Sequence, residues 1–362
     1  MKKILFDNQM FTLQRFGGVT RYFADLMYNL PHDEFTSEVP MRYCENHYVT
    51  ETYGNKYEKI TFPNNYRLRR QLYILVNKHI SYKAIKFDEY DIFHPTYFNP
   101  YFLKTVKKRQ KPFVLTVHDM TFERYPQDVL IYDRTIPHKR LLINEADHII
   151  AVSENTKRDI VELIGTDPSK ITVVHHGYRP IAEPSAQLFD RYVLYVGERK
   201  GYKNFLPWLS AIRPLFNLDP NLKVVCTGTP FSSAEIKLFK KWNIADRLVH
   251  ISANDAQMAS LYKHALCFVF PSHYEGFGIP ILEAFANGCP VCLSNASCFP
   301  EVAGDAALFF NPNDAQSMQD TLKEVLVSSA LREELAKKGT LRSKEFSLER
   351  MVEQTCSVYR KL

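Results

Sequence analysis

The sequence predicts an α/β protein built as two doubly wound parallel-sheet domains facing a cleft, and three observations lead there. At 362 residues the chain exceeds what one hydrophobic core usually organises, so two domains are expected. Short β-branched runs alternate with amphipathic helical stretches along its whole length, the pattern of parallel strands joined by crossover helices. Between residues 177 and 190 the alternation stops in a segment carrying Pro180 and Pro184, which reads as a linker.

In the first half the strand candidates are Lys3–Phe6, Asp91–His94, Phe113–His118, His148–Val152 and Ile171–His175. In the second they are Tyr192–Val196, Leu222–Cys226, Leu248–Ile251, Cys267–Phe270, Pro290–Leu293 and Ala307–Phe310. Residues 1–178 and 179–345 are then the two domains. Residues 346–362 form a last helix, with Met351, Val352, Cys356 and Tyr359 at helical spacing.

Composition narrows the function. No run approaches the roughly 18 apolar residues of a spanning helix. MKKILFDNQMF has two lysines but no long apolar run, so no secretory signal is expected. Seven cysteines, an odd number, fit a reducing cytoplasm. Cys289 and Cys292 make a lone C-x-x-C without the second pair a zinc ribbon needs, and read as structural; no metal site is expected. Net charge is +6, yet residues 67–111 hold eleven Lys/Arg against three Asp/Glu. There, Leu68, Leu72, Leu75, Val76 and Ile80 have helical spacing beside basic side chains. This suits either a helix lying on an anionic membrane surface or one packed on its own domain with a solvated basic face. The patch carries no nucleic-acid-binding motif, and no nucleic-acid partner is expected.

Open parallel sheets bind ligands beyond the carboxyl ends of their strands, so those ends hold the candidates. After the first strand, Gly17 and Gly18 precede a helix over Thr20–Leu30, where glycine lets an anion approach backbone N–H groups. The pair is not a G-x-G-x-x-G, so a nicotinamide cofactor gains no support. His118 closes its strand and could hydrogen-bond a sugar hydroxyl or phosphate; His94 does so without a second supporting feature. The strand at Tyr192 runs into GERKGYKN, whose Arg199 and Lys203 on a glycine-rich turn suit a diphosphate. In FVFPSHYEGFGIPILEAFANGCPV a buried strand ends at Pro271, Glu275 and Gly276 lie on a turn, and Pro280 opens a helix that Gly288 closes. Free N–H groups around Gly278 to Ile281 make an anion seat, and Glu275 with Glu283 beside it suits vicinal hydroxyls. A ligand with both phosphate and vicinal hydroxyls is a sugar nucleotide.

With these residues in place the sequence resembles the retaining glycosyltransferases of family 4, which have the GT-B fold. Glu275 and Glu283 match the family's E-x7-E within PSHYEGFGIPILEAFANGCPV; ADHIIAVSENTKRDI (Ala146–Ile160), ITVVHHG (Ile171–Gly177) and PEVAGDAALFFNP (Pro300–Pro312) match as well. The resemblance implies that Glu283 holds the ribose, while Glu275 and the backbone from Gly276 through Phe277, Gly278 and Ile279 hold the transferred sugar. Arg199 and Lys203 would neutralise the donor diphosphate, His118 would contact the donor sugar, and Gly17-Gly18 would admit donor phosphate and acceptor. The last helix would pack back on the first, acceptor-binding domain. One departure stands out: relatives often carry Arg-Lys at the phosphate loop, whereas here Tyr202 precedes Lys203 and the arginine is Arg199.

The expected function is therefore a retaining, metal-independent transfer of a hexose (mannose, glucose or N-acetylhexosamine) from a nucleotide-diphosphate sugar to a growing glycan or lipid-linked acceptor in cell-surface polysaccharide or lipopolysaccharide synthesis. No cofactor is expected, in keeping with the absence of any D-x-D motif. The expected location is cytoplasmic, peripheral on the inner face of the membrane if the basic helix docks there. The alternatives are a sugar-nucleotide epimerase of related fold and a catalytically inactive sugar-nucleotide-binding partner.

Overall fold

The computed structural model describes residues 1–53, 56–59, 65–128, 134–178 and 182–362; Pro180 of the expected linker lies outside them. Twelve strands are found among the described residues. They are β1 (Lys2–Phe6), β2 (Phe35–Glu38), β3 (Ile92–His94), β4 (Val114–Val117), β5 (His148–Ala151), β6 (Ile171–Val173), β7 (Tyr192–Tyr195), β8 (Lys223–Cys226), β9 (Leu248–His250), β10 (Cys267–Phe270), β11 (Val291–Ser294) and β12 (Leu308–Phe310). Eleven of these fall where the sequence places them, with ends shifted by two residues at most. β2 is the addition: FTSE buries only Phe35 and shows too little apolar alternation to be read as a strand.

The chain forms two compact units, Met1–Gly177 with Leu348–Leu362, and Tyr178–Ser347. In the first, β2-β1-β3 and β4-β5-β6 are parallel sheets, joined by a parallel bridge between Phe93 and Phe113. After β1 the chain moves to β2 on one side and then returns to β3 on the other. The strand order thus reverses between β1 and β3. In the second unit the parallel order is β12-β11-β10-β7-β8-β9, and the reversal lies between β7 and β10. Such a reversal splays the connections apart and leaves a crevice at the strands' carboxyl ends.

Each sheet has its own core. Ile4, Phe6, Phe23, Leu26 and Ile150 pack in the first unit together with Met351, Val352 and Tyr359 of the C-terminal helix Leu348–Lys361. His94 fixes that helix to the sheet, with Nδ1 2.6 Å from Tyr359 Oη and Nε2 2.9 Å from Thr116 Oγ1. In the second unit Val193, Val224, Val269, Trp208 and Leu322 form the core. Cys289 and Cys292 are buried there as free thiols.

The basic helix Tyr66–Phe87 does not bury the stripe its sequence suggests. Tyr73, Asn77, Ser81, Ala84 and Ile85 face inward, whereas Leu68, Leu72 and Leu75 are 50%, 44% and 68% exposed. The reason is polar. Asn77 Nδ2 donates to Thr12 Oγ1 (3.0 Å) and to the Tyr43 carbonyl (2.7 Å), and its Oδ1 accepts from the Arg42 and Tyr43 amides. A buried amide so fully satisfied fixes the helix's rotation against its hydrophobic pattern.

Candidate functional site

The crevice between β7 and β10 gathers two loops. After β7, Gly201–Lys203 forms a single 3-10 turn, and Asn204 follows in the left-handed region at φ 56°. Asn204 Nδ2 donates to the Pro312 carbonyl at 2.9 Å, anchoring that turn. The His273 amide, after β10, donates to the Tyr202 carbonyl at 2.7 Å, so the two loops are joined through backbone. This places Lys203 Nζ 2.6 Å from Glu275 Oε1, with Ser272 Oγ donating to the same oxygen at 2.8 Å. Ser297 grips the Glu275 backbone on both sides, donating to its carbonyl (2.6 Å) and accepting from its amide (3.2 Å).

Beyond Glu275 the helix Ile279–Ala286 begins, with Pro280 at its second position rather than its first, and Gly288 follows its end at φ 65°. Gly278 is the N-cap at φ 93°, and no side chain caps the helix among the described residues. The partial positive charge of the helix N-terminus therefore has no built-in carboxylate or hydroxyl to satisfy it. Phe277 points into the protein, 5.7 Å from the Phe346 ring, which leaves its backbone as the part able to meet a ligand.

The two glutamates have different neighbours. Glu283 accepts from Tyr262 Oη at 2.8 Å and lines a small pocket with Tyr178, Asp255, Met258 and Asn287. Glu275 is not among the residues of that cavity. Burial, reinforced by Glu283, pushes the Tyr262 phenol well above its ordinary value, so it remains a donor that orients the carboxylate.

Arg199 departs from the expectation of a cation held open for phosphate. Its Nε donates to Glu235 Oε1 at 2.7 Å and its Nη2 to the Pro230 carbonyl at 3.1 Å, with the guanidinium 4.8 Å from the Phe231 ring centroid. Glu235 also closes a capping box with Ser232. Burial raises the Glu235 carboxyl, but Arg199 and the Ser232 cap outweigh it and hold the group below its usual value. The guanidinium charge is thus compensated, and only Nη1, buried and without a partner, is left to take a further acceptor. The S-x-x-E spacing at Ser232–Glu235 signals a helix start, but nothing local ties it to Arg199, 36 residues away.

In the first unit, Gly17 is the N-cap and Gly18 the first residue of the helix Gly18–Asn29. A Cβ at Gly17 would stand 2.3 Å from Gln14 Oε1, the end of a flexible side chain that can swing aside. His118 lies just beyond β4, stacked on His176 with centroids 5.5 Å apart and edged by Tyr22. Both its ring nitrogens are buried and unpartnered. Burial, helped by His94 and Lys139, pushes His118 down to about 3, which keeps the imidazole neutral at physiological pH. A neutral ring with two open nitrogens can donate one hydrogen bond and accept another. His176 supports His118 by stacking.

Comparison with known proteins decides the class. The profile described as "Glycosyl transferases group 1" matches residues 182–342, and that of "Glycosyltransferase Family 4" matches residues 16–180. The chain belongs to the group 1 glycosyltransferases. Its fold is GT-B: sucrose-phosphate synthase from Thermosynechococcus elongatus superposes with a TM-score of 0.74 at 17% identity, over 100% of this chain and 99% of that one. Anabaena HepE in complex with UDP and glucose gives 0.75 at 17% identity, over all of both chains. Among curated relatives, O-antigen chain mannosyltransferase B of Escherichia coli is 28% identical over 272 residues, covering 69% of this glycosyltransferase and 70% of the relative. O-antigen chain mannosyltransferase RfbU of Salmonella typhimurium is 28% identical over 216 residues, 58% of this chain and 60% of its own.

Proposed function

We propose that this glycosyltransferase moves a hexosyl group, mannosyl in the first instance, from a nucleoside-diphosphate sugar to a growing glycan or lipid-linked acceptor in cell-surface polysaccharide synthesis. The observation that carries the donor assignment is the Lys203–Glu275 pair at the β7/β10 reversal, beside an uncapped helix N-terminus. Lys203 and that N-terminus offset the diphosphate charge that grows as the sugar leaves. Glu275, relieved of Lys203 by the phosphate, accepts from hydroxyls of the transferred sugar, and Glu283 accepts from the ribose hydroxyls. Backbone from Gly276 to Ile279 lines the same seat. Arg199 adds one N–H through Nη1, and His118 hydrogen-bonds the sugar as a neutral imidazole. The mannosyl preference is supported by the names of the curated relatives.

Retention would follow from a front-face reaction. The bond from the anomeric carbon to the phosphate oxygen breaks, the acceptor oxygen bonds that carbon on the same face, and the acceptor proton passes to the leaving phosphate. The absence of a D-x-D motif and the presence of Lys203 at the phosphate seat support a metal-independent course. The test is a thermal-shift screen against GDP, UDP and their sugars, followed by turnover. GDP-mannose is expected to stabilise the protein most and to be consumed only with acceptor present; isomerisation of the donor alone would instead favour an epimerase.

The enzyme also docks, in this reading, on an anionic membrane surface through the helix Tyr66–Phe87. Leu68, Leu72, Leu75 and Tyr82 share its outer face, and the helix carries six basic residues and no acidic one. Apolar side chains amid cations fit a surface of acyl chains under anionic headgroups. No helix among the described residues is long and apolar enough to cross a membrane. Vesicles of phosphatidylcholine with phosphatidylglycerol are expected to sediment the protein, and Leu72→Glu with Leu75→Glu to release it. Equal sedimentation of both forms refutes the docking face.

A further inference from the structure

His94 and His118 each stand at the carboxyl end of a strand in the first unit, and the fold treats them differently. His94 has both ring nitrogens bonded, to Tyr359 and to Thr116. His118 has neither nitrogen partnered among the described residues, so no hydrogen bond fixes its ring. Its orientation has to come from ring stacking and from the backbone that carries it. We propose that Lys139 is a positioning residue for His118: held by Glu123, its ammonium grips the backbone of Asp119 and sets the direction in which the imidazole is presented. The proposal rests on the reading of His118 above as a contact of the transferred sugar.

The contact is made deep inside the unit. Lys139 lies on the helix Thr135–Glu145, and its side chain is 1% exposed. Its Nζ donates to the Asp119 carbonyl at 3.1 Å and to Glu123 Oε2 at 2.8 Å, and stands 5.2 Å from the Phe98 ring centroid and 5.9 Å from that of Phe122. The Glu123 side chain is 4% exposed, and its other oxygen is buried without a partner among the described residues, so Lys139 is what holds the carboxylate. Stability alone does not account for an ion pair there, because apolar residues of similar volume often replace a buried pair at no cost. The Asp119 carbonyl supplies the reason. It lies one residue beyond His118, and an ammonium, with three donors, can bond it and a carboxylate at once.

The rest of the turn beyond His118 is held as well. Asp119 Oδ1 accepts from the Thr121 amide at 2.9 Å, where the short helix Thr121–Arg124 opens. The last two residues of that helix are tied to different neighbours. Glu123 meets the helix Thr135–Glu145 through Lys139. Arg124 meets the helix Glu154–Ile164, its Nε 3.0 Å from Asp159 Oδ1 and its Nη2 2.6 Å from Glu162 Oε2. The Arg124 pair with Glu162 is partly open to water and contributes less, which leaves the buried Lys139 pair as the stronger clamp. Lys139 also lies near enough to lower His118, behind burial and His94. A displacement of about 1 Å in a group that meets the substrate can cost about 10²-fold in rate, so a clamp on this turn is read out in turnover.

The test compares two single variants that break the same ion pair. Lys139→Met removes the Asp119 contact and leaves Glu123 unpaired, whereas Glu123→Gln keeps Lys139 in place to bond Asp119. Both should melt at a lower temperature than the wild type, because each strands a buried charge. In transfer from GDP-mannose, kcat of Lys139→Met should fall about tenfold below that of Glu123→Gln, while the Kd for GDP stays that of the wild type in both. The double variant Lys139→Met/Glu123→Leu, apolar on both sides, should regain the lost melting temperature and not the lost kcat; if it fails to fold, the two single variants still decide. Ring resonances of His118 in the labelled whole chain at pH 7 should shift or split in Lys139→Met, with those of His94 unmoved. Equal kcat in the two single variants, recovery of kcat together with melting temperature in the double variant, or unmoved His118 resonances overturns the proposal and leaves Lys139 a partner of Glu123 only. His118→Ala scores the underlying reading separately. Wild-type turnover there sinks the role of His118, whereas slow turnover there beside a fully active double variant sinks the positioning alone.

Discussion

The two strand-order reversals follow one topological rule and are furnished in opposite ways. Between β7 and β10 the side chains are charged and partly open, with Lys203 and Glu275 18% and 15% exposed. Between β1 and β3 the carboxylate, Asp7, is fully buried and spends its oxygens on hydrogen bonds within the fold. Nearby in that unit three imidazoles, His94, His118 and His176, are held neutral by burial. A crevice position is thus set by topology, whereas what it can bind is set by whether charge is left available there. The second unit keeps a cation and a carboxylate partly open at its crevice; the first buries its carboxylate within the fold.

The largest expected consequence is in acid. A histidine titrates near 6.5 in an unfolded chain, whereas burial takes His94 and His118 down to about 3 and His176 well below its ordinary value. The folded state therefore binds fewer protons than the unfolded one below pH 6.5. Stability from these groups is present in full above that pH and is lost as pH falls toward 3. Each contributes a slope of up to about 1.4 kcal/mol per pH unit. Hydrogen exchange between pH 7 and pH 5 should show protection at β5 falling more steeply than at β8. Equal loss in both units would break the contrast.

Next in size is catalysis. Lys203→Ala removes the cation and leaves Glu275 facing the diphosphate, and kcat/KM for the donor should fall by about 10²-fold or more. Glu283→Ala should fall by a similar order through lost ribose contacts. Normal turnover in both variants would show that the charged crevice is not the donor seat.

Where the sequence could be read, its signals were local. Gly278, Pro280 and Gly288 punctuate one helix, so the element carrying Glu283 is marked by residues beside it. Strand cores such as Cys267–Phe270 are buried on both faces and show as apolar runs. Where it could not, the deciding partner was distant. Glu235 claims Arg199 from the first turn of another helix, and Asn77 turns the helix Tyr66–Phe87 by bonding Thr12 and Tyr43, so that a stripe of leucines faces outward. Periodicity reports which residues share a face, and only tertiary contacts decide which way that face looks.

Asn77 is also the scaffold of the first reversal, since its carbonyl accepts from Asn8 Nδ2 at 3.1 Å just after β1. Asn77→Ala strands the Arg42 and Tyr43 amides and the Tyr43 carbonyl, and should cost about 2–3 kcal/mol in denaturant unfolding. Donor affinity should remain that of the wild type if, as proposed, the donor seat lies in the second unit. A change in nucleotide Kd without lost stability would contradict this division of labour.

The smallest expected effect separates scaffold from seat within the second unit. Gly278 and Gly288 flank the same helix, both at positive φ, 93° and 65°. Alanine at either costs about 1–2 kcal/mol for the left-handed backbone. At Gly288 nothing lies within 4 Å of an added Cβ, so Gly288→Ala should lower stability and leave kcat/KM unchanged. At Gly278 the Cβ would stand 3.0 Å from Ile281 Cδ1 and 3.3 Å from Phe299 Cε1. Ile281 can swing away but the Phe299 ring is buried, so the first turn of the helix must shift. Because that turn presents the uncapped N–H groups, Gly278→Ala should lose donor turnover as well as stability. If the two variants lose turnover equally, the helix N-terminus is a structural end and not part of the phosphate seat.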